Sequence, residues 1–490
     1  MNVLLVSPKT RDTFWSFRHA LPFIGKKAAY PPLGLLTVAG FLPREWNLKL
    51  VDLDVCRLGD DKILWADYVL VGAMIVHSDS VQEIAARCRD LHRPLIAGGP
   101  LFSTNRDRFP QIPHFAVGEV EEYMDVLIRD MEEGRVGALY EPDGYPKLDD
   151  SPIPLWKLID IGDYANMSIQ FSRGCPFDCE FCDITFLNGR VPRTKTPEQV
   201  IAELDSLCEA GWKGSVFVVD DNFLGHKRKV KELLRVMIEW RKRKSPKVEF
   251  LTEASLNLAE ETELLELAVE AGFRTVFLGI ETPDVDSLVA CNKKQNTKRD
   301  LLDSVRAIQK AGLEVMGGFI IGFDSDKPDI FERQFRFIQE AGVVTAMVGL
   351  LNAIPGTKLH KRLASEGRLL STSTGNHTEA DLNFVTTLGR EKLISGYREL
   401  MKRLYEPRAY YDRAKTLLRN WRPRGAYAFQ GRRDIRALFH GLWRLGVRDA
   451  GRRHFWAFLG HTLVHHPRAF TAAMTFAVCG HHLRMVAKSI

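Results

Sequence analysis

The chain has no run of about 18 uncharged apolar residues, so a conventional membrane-spanning helix is not expected. Cysteine is scarce, eight in 490 residues, and five of the eight are scattered (Cys56, Cys88, Cys208, Cys291, Cys479). The opening MNVLLVSPKTRD lacks the basic flank of a secretory signal and reads as a buried first strand. Without an export signal, so few cysteines argue against a disulfide framework. No short repeat or low-complexity tract stands out. The balance of 45% hydrophobic and 27% charged residues excludes a disordered or collagen-like chain. At 490 residues, two or three domains are expected rather than one core.

Net charge is only +6, but it is unevenly spread. Residues 401–490 hold 18 Lys and Arg against 4 Asp and Glu, which leaves the rest of the chain acidic. Such an asymmetry points either to an anionic partner, nucleic acid or lipid headgroups, or to a solvated basic face.

Residues 1–140 alternate short apolar runs with helical stretches. VLLVSP, LKLVDLD, YVLVGAM, PLIAGGP and FAVGE are candidate strands without strict alternation, as expected where both faces of a parallel sheet are covered. Ser78–Leu91 opens with Ser and Asp and carries apolar residues at helical spacing, a capped crossover helix. This pattern predicts a doubly wound α/β domain with ligands at the carboxyl ends of its strands. A Pro/Asp/Gly-rich stretch then breaks the periodicity, and residues 141–164 read as a linker.

From 165 to 368 strands and helices alternate again. Six βα units predict a partial (β/α)6 barrel, with working residues at the strand carboxyl ends. Residues 369–490 are mainly helical. There Ile435, Leu438, Phe439, Leu442 and Trp443 form one apolar stripe with Arg432, Arg433, Arg436 and Arg444 around it, and Phe455, Phe458 and Leu459 repeat the theme. Such a stripe suits either core packing or a membrane interface.

The chemistry concentrates in RGCPFDCEFCD, where Cys175, Cys179 and Cys182 follow a strand at Cys-x3-Cys-x2-Cys spacing. Three thiolates on a short loop can hold three irons of a [4Fe–4S] cluster and leave the fourth open to a chelating amine and carboxylate. A zinc site would recruit a fourth local ligand, and none stands nearby.

This tract, with Phe181 before the last cysteine, resembles the radical S-adenosylmethionine (radical SAM) superfamily motif, and the resemblance runs through residues 165–365. It implies a [4Fe–4S] cluster that reduces bound SAM to give a 5′-deoxyadenosyl radical. It also implies SAM contacts at Asp220 and Asp221, with the commoner Gly-Gly-Glu replaced by Asp-Asp-Asn, at Glu253 and Glu281, and on the strand Gly318-x-Ile320-x-Gly322.

The preceding domain is similar to the cobalamin-binding domains of B12-dependent radical SAM enzymes. Pro32, Gly34, Gly98, Gly99, Gly118 and Glu119 resemble its recurrent loops. The Asp-x-His-x-x-Gly motif of other B12 proteins is not matched: Asp54–Gly59 has Cys56 at the histidine slot, read here as a buried structural cysteine. His77 also faces that region and reads as a polar loop residue.

Across nearly the whole chain the sequence resembles the subfamily with a helical tail that contains the hopanoid C-2 and bacteriochlorophyll side-chain methylases. The resemblance implies methylation of an unactivated carbon through methylcobalamin, and a ferredoxin or flavodoxin as reductant. A lipid substrate is favoured, with a cytoplasmic enzyme that touches the membrane through its basic tail; a tetrapyrrole or secondary metabolite stays open. The rivals are a non-methylating B12 radical SAM cyclase or rearrangement enzyme and an RNA-binding or RNA-modifying protein. No nucleic acid is expected, because the tail has no recognisable RNA-binding module. Tyr410, Tyr411, His465, His466, His481 and His482 are read as packing or solvated groups.

Overall fold

The computed structural model describes residues 1–376, 378–423 and 432–490, and the side chains of residues 432–434 lie outside that description. Six strands form the first sheet: β1 (Asn2–Ser7), β2 (Asn47–Asp52), β3 (Tyr68–Gly72), β4 (Leu95–Gly98), β5 (His114–Ala116) and β6 (Leu139–Tyr140). All pair in parallel, in the order β2-β1-β3-β4-β5-β6. Val3 to Val6 are wholly buried, which is why β1 shows no alternation. The chain order reverses between β1 and β3, so a crevice opens at their carboxyl ends. The two-residue β6 has no counterpart among the expected strands, being too short to carry a period. The crossover helix spans Ser78–Asp90.

A second parallel sheet carries β7 (Met167–Ile169), then, after the ribbon strands β8 (Ser172–Arg173) and β9 (Arg193–Thr194), β10 (Gly214–Val218), β11 (Val248–Ala254), β12 (Phe273–Glu281), β13 (Glu314–Ile321) and β14 (Ala346–Leu350). Its order is β7-β10-β11-β12-β13-β14, and β8 pairs with β9 in antiparallel fashion beside it. These are the six expected units of a partial barrel. The outward residues Val216, Val276, Leu278, Val315 and Ile321 are buried to within 1% against the surrounding helices. The inward residues lie in rows set by register: Phe217, Leu251, Thr275 and Glu314 in one, and Glu253, Phe277 and Met316 in the next. The helices begin and stop at local signals. Thr196 and Gln199 form a capping box before Pro197–Glu209. Gly312, at φ 119°, ends Leu301–Ala311.

The edge strand β14 is covered rather than left open. Tyr397, on the helix Arg390–Tyr405, donates its hydroxyl to the Val348 carbonyl at 3.0 Å, and Tyr405 donates to Ala346. Arg413, fully buried on the helix Pro407–Asn420, donates to the Leu404 and Val344 carbonyls. Tyr410 and Tyr411 are buried too, and Tyr410 donates to the Phe476 carbonyl, so both are packing residues here.

The tail stripe divides instead of following one reading. Phe455, Phe458 and Leu459 are core, and Leu438 and Leu442 pack partly buried against it. Ile435, Phe439 and Trp443 point outward and are exposed. Among the described residues, no helix is long and apolar enough to cross a membrane.

Candidate functional site

The cysteine loop leaves the short ribbon at Gly174, whose φ of 96° is a left-handed conformation that favours glycine. A Cβ there would also stand 2.9 Å from the Asn188 carbonyl oxygen, so the loop can close on residues 188–191 only with glycine. Cys175, Cys179 and Cys182 are all free thiols. Burial pushes the Cys175 and Cys182 thiols up, so ionisation there needs a positive partner such as iron. Two amides already aim at sulfur: Asn222 Nδ2 lies 3.7 Å from Cys175 Sγ, and Gln295 Nε2 lies 3.6 Å from Cys179 Sγ. Among the described residues no three His, Cys, Asp or Glu side chains are arranged around a single ion's position. Thiols spread along a loop suit a multi-iron cluster, in which each sulfur has its own iron.

The Asp-Asp-Asn run after β10 stitches this loop to the barrel. Asp220, 1% exposed, accepts from the Phe171 N–H at 2.8 Å and the Ser172 hydroxyl at 2.5 Å. Asp221 accepts from the Gly174 N–H and from Asn188 Nδ2, both at 2.8 Å. Their carboxylates, expected on SAM, are thus engaged with the loop's own backbone and side chains. Burial raises the Asp220 carboxyl to about 7, against the pull of its donors, and raises Asp221 as well. Glu253, in the interior row with Phe277, is pushed up to about 8, by burial first and then by these two aspartates. Three carboxyls that resist ionisation side by side would be relieved by a cationic ligand.

Glu281 ends β12 at φ 67°, where the pairing with β13 slips. Its carboxylate meets Lys293 Nζ at 2.7 Å, with both side chains about 10% exposed. Lys293 lies 5.9 Å above the Phe181 ring, and its charge is felt by Cys179 and Cys182. Asn296 donates to the Gly279 and Ile280 carbonyls and so fixes the turned strand end. Lys293, Gln295 and Asn296 escaped the sequence reading, and Asn222 entered it only as part of the Asp-Asp-Asn run. For the first three the signal was there: NKKQN comes just after a helix of only six residues, Val285–Ala290, and five consecutive polar side chains in a short loop need partners.

Phe181 and Ile320 pack against the same small buried cluster, and Phe181 makes an edge contact with Phe323 at 6.1 Å. A cavity of about 300 Å³ opens there between Phe181, Cys291, Phe323 and Leu351. Gly322, at φ 111°, donates its N–H to Asp326. Gly318 leaves room for another protein group: a Cβ would stand 2.9 Å from the Phe277 ring. Phe277 in turn lies 5.0 Å from Trp15, which stacks on Phe217 at 5.8 Å, with Tyr30 5.4 Å from Phe217. A segment that follows β1 therefore lines the barrel interior with aromatic rings, which no motif announced.

At the carboxyl edge of the first sheet, Pro32 is half-buried and Gly34 exposed, with nothing within 4 Å of the place of a Cβ. Gly98, Gly99 and Gly118 share that edge. Cβ atoms on them would strike the Ala116 carbonyl, the Ala73 backbone and the Pro142 ring, so the small residues serve the fold's own close packing. Glu119 does not point into an open crevice. Its buried carboxylate is shared by Arg173 at 2.8 Å and Arg193 at 2.5 Å, from the ribbon that holds the cysteine loop. His77 is buried, with Nδ1 accepting from the Met74 N–H and Nε2 against Thr10 Oγ1 at 3.3 Å. Cys56, expected to be buried, is exposed, because the chain turns over the end of β2 and carries it to the surface.

A family model described as the radical SAM superfamily matches residues 169–348, and one described only as a domain of unknown function matches 357–490. The chain is 40% identical to an uncharacterized methyltransferase of Synechocystis, over 98% of this chain and 91% of that one. It is 35% identical to the hopanoid C-2 methylase of Rhodopseudomonas palustris, over 99% and 93%. A bacteriochlorophyllide d C-12(1)-methyltransferase of Chlorobaculum tepidum is 23% identical over 85% and 90%. Among solved structures, the cobalamin-dependent S-adenosylmethionine radical enzyme OxsB aligns with a TM-score of 0.65 at 14% identity, covering 100% of this chain and 81% of that one. The radical SAM methyltransferase TsrM of Kitasatospora setae aligns at 0.58 and 17%, covering 76% of each chain. At such identities these two likenesses speak for the fold alone.

Proposed function

Because the chain belongs to the radical SAM methyltransferase family, whose cofactors are a [4Fe–4S] cluster and SAM, we propose that it methylates an unactivated carbon of an uncharged, hopanoid-like lipid, with cobalamin as methyl carrier. When bound, these groups supply a carbon-centred radical that removes a hydrogen atom and a methyl group that replaces it.

Cys175, Cys179 and Cys182 hold the cluster. Asp220 and Asp221 hold the loop that presents it, rather than touching SAM themselves. Glu253 faces the ammonium or sulfonium of SAM, the cation its raised carboxyl calls for. Lys293 orients Glu281 toward the same ligand. Phe181, Gly318, Ile320 and Gly322 flank the nucleoside, beside the cavity at Phe181. Residues 1–140 are the cobalamin unit; the strand-end loops at Pro32, Gly34, Gly98, Gly99 and Gly118 would hold it, the last three glycines by letting those loops pack closely and Gly34 by the open space beside it. Glu119 ties that unit to the barrel of residues 165–368 across the linker 141–164, and the helical unit is 369–490. A ferredoxin or flavodoxin delivers the electrons on the cytoplasmic side of the membrane.

The observation that carries the substrate class is the barrel interior. It offers the rings of Trp15, Tyr30, Phe217 and Phe277, and it carries the acids Glu253 and Glu314, the latter raised to about 7 by burial. An apolar, uncharged substrate gains from those rings. A tetrapyrrole with propionate groups would meet carboxylates where it needs cations.

The test is anaerobic reconstitution with iron, sulfide and hydroxocobalamin, then incubation with SAM, reductant and either a hopanoid or a bacteriochlorophyllide. A gain of one CH₂ on the hopanoid alone is expected. A gain on the tetrapyrrole alone, or 5′-deoxyadenosine formation with an isomerised, unmethylated product, overturns the reading.

A further inference from the structure

The helix Arg432–Trp443 runs on into a π turn, Arg444–Arg448. One side is core: Leu445 is buried, and Leu438 and Leu442 pack against the interior. On the other side Ile435, Phe439, Trp443 and Val447 follow at four-residue spacing, which keeps them on one face. They are 44%, 67%, 53% and 49% exposed. The patch continues on the next helix through Trp456, whose indole N–H donates to the Gly446 carbonyl at 2.9 Å beside Val447. Scattered exposed apolar residues need no explanation, but a contiguous apolar face does.

Charge surrounds this face. Between residues 432 and 465 there are seven arginines against two aspartates. Among the described residues Arg436, Arg444 and Arg448 make no ion pair; Arg448 lies over the Trp443 ring at 5.6 Å and Arg444 over Phe23 at 5.1 Å. A pocket of about 350 Å³ opens between His440, Trp443, Arg444, Arg448, Asp449 and His481. Asp449 is already neutralised by Arg484 and accepts from the Gly451 N–H at 2.6 Å. His481, only 9% exposed, lines the same pocket beside Asp449, with its Nδ1 3.6 Å from that carboxylate.

We propose that this face docks on an anionic phospholipid bilayer. The stripe from Ile435 to Val447 enters the headgroup–acyl boundary, and the pocket at Arg444, Arg448 and His481 takes a headgroup phosphate. The charge balance argues for this occupant: a second copy of the chain would bring arginine against arginine, whereas anionic headgroups meet them. Nucleic acid would use the arginines but gives no reason for exposed Ile435 and Val447. The inference rests on the lipid-substrate reading only for its purpose, delivery of an apolar molecule to the barrel, and it is measured without substrate.

The test is flotation of the full-length, reconstituted protein with vesicles of phosphatidylglycerol and phosphatidylcholine, and with phosphatidylcholine alone. Strong binding to the anionic vesicles is expected, weakened about tenfold or more in Phe439→Asp/Trp443→Asp and in Arg444→Glu/Arg448→Glu. SAM cleavage stays unchanged in both variants, which shows that each is folded. Three results overturn the proposal. The variants float as well as wild type; or nothing floats while the protein binds RNA with steep salt dependence; or nothing floats and a concentration-dependent dimer disappears with Phe439→Asp/Trp443→Asp. Methylation of a hopanoid in detergent without vesicle binding would sink the docking and leave the substrate assignment standing.

Discussion

Glu119 and Arg173 meet at 2.8 Å with both side chains largely buried, although one lies in the loop after β5 of the first sheet and the other stands two residues before Cys175. Arg173 also pairs with Glu121 at 2.8 Å, and Glu119 also holds Arg193. The pairing joins the edge expected to carry cobalamin to the loop expected to carry iron, largely shielded from solvent.

Glu119→Gln leaves two arginines short of charge in a buried place. Breaking such a pair costs about 3 kcal/mol. A lower denaturant midpoint is expected, together with faster iron loss from the reconstituted protein, because the ribbon behind the cysteine loop is released. An unchanged midpoint would mean that Glu121 alone satisfies Arg173.

Asn222 and Gln295 place amide donors on the sulfurs of Cys175 and Cys179. Such donors favour the more negative, reduced cluster. Asn222→Ala and Gln295→Leu should each move the cluster potential to more negative values, by about 40 mV for ~1 kcal/mol of lost hydrogen bond. Redox titration followed by electron paramagnetic resonance reads the shift, and iron content separates it from simple cluster loss.

Gly174→Ala imposes both a left-handed backbone and a contact with the Asn188 carbonyl oxygen. A cost of about 1–2 kcal/mol is expected. The visible consequence is a protein with ordinary far-ultraviolet circular dichroism that takes up much less iron and sulfide. Full iron loading would show that the loop can close another way.

His482, completely buried on the last helix, accepts the His19 N–H at Nδ1 and therefore donates from Nε2 to the Phe14 carbonyl at 3.1 Å. This geometry needs the neutral ring, and burial lowers its pKa from 6.5 to about 4. The unfolded chain binds the proton first as pH falls. The contribution to stability is therefore complete above pH 6.5 and is lost progressively down to pH 4, by about 3 kcal/mol at most. Denaturant midpoints across that window should fall in wild type. They should stay flatter in His482→Gln, which keeps a donor and an acceptor but does not titrate.

Much of this was legible in the linear chain, because parallel strands buried on both faces advertise themselves as short apolar runs, and helices as capped periodic segments. The barrel strands β10 to β14 fall where those runs predicted. The cysteine loop was legible for a different reason: three thiols at that spacing leave little other chemistry. The resemblance carried by Glu281 and Asp220–Asn222 fixed the region of the site but not each residue's task.

What local pattern could not express is pairing across sequence distance. Nothing near Asp220 says that its partners are Phe171 and Ser172, and nothing near Glu119 announces Arg173 and Arg193. Trp15 reaches Phe217 and Phe277 only because the segment after β1 runs back into the barrel. The apolar stripe of the tail has one period and two fates. Leu438 and Leu442 pack against the core, while Phe439 and Trp443 stay exposed among the described residues. By itself the sequence determined the classes of element, their order and the metal-binding chemistry, all set by short-range periodicity and ligand spacing. The tertiary structure decided which charges are spent on one another and which apolar faces remain free, because burial and partner choice exist only once distant segments have packed.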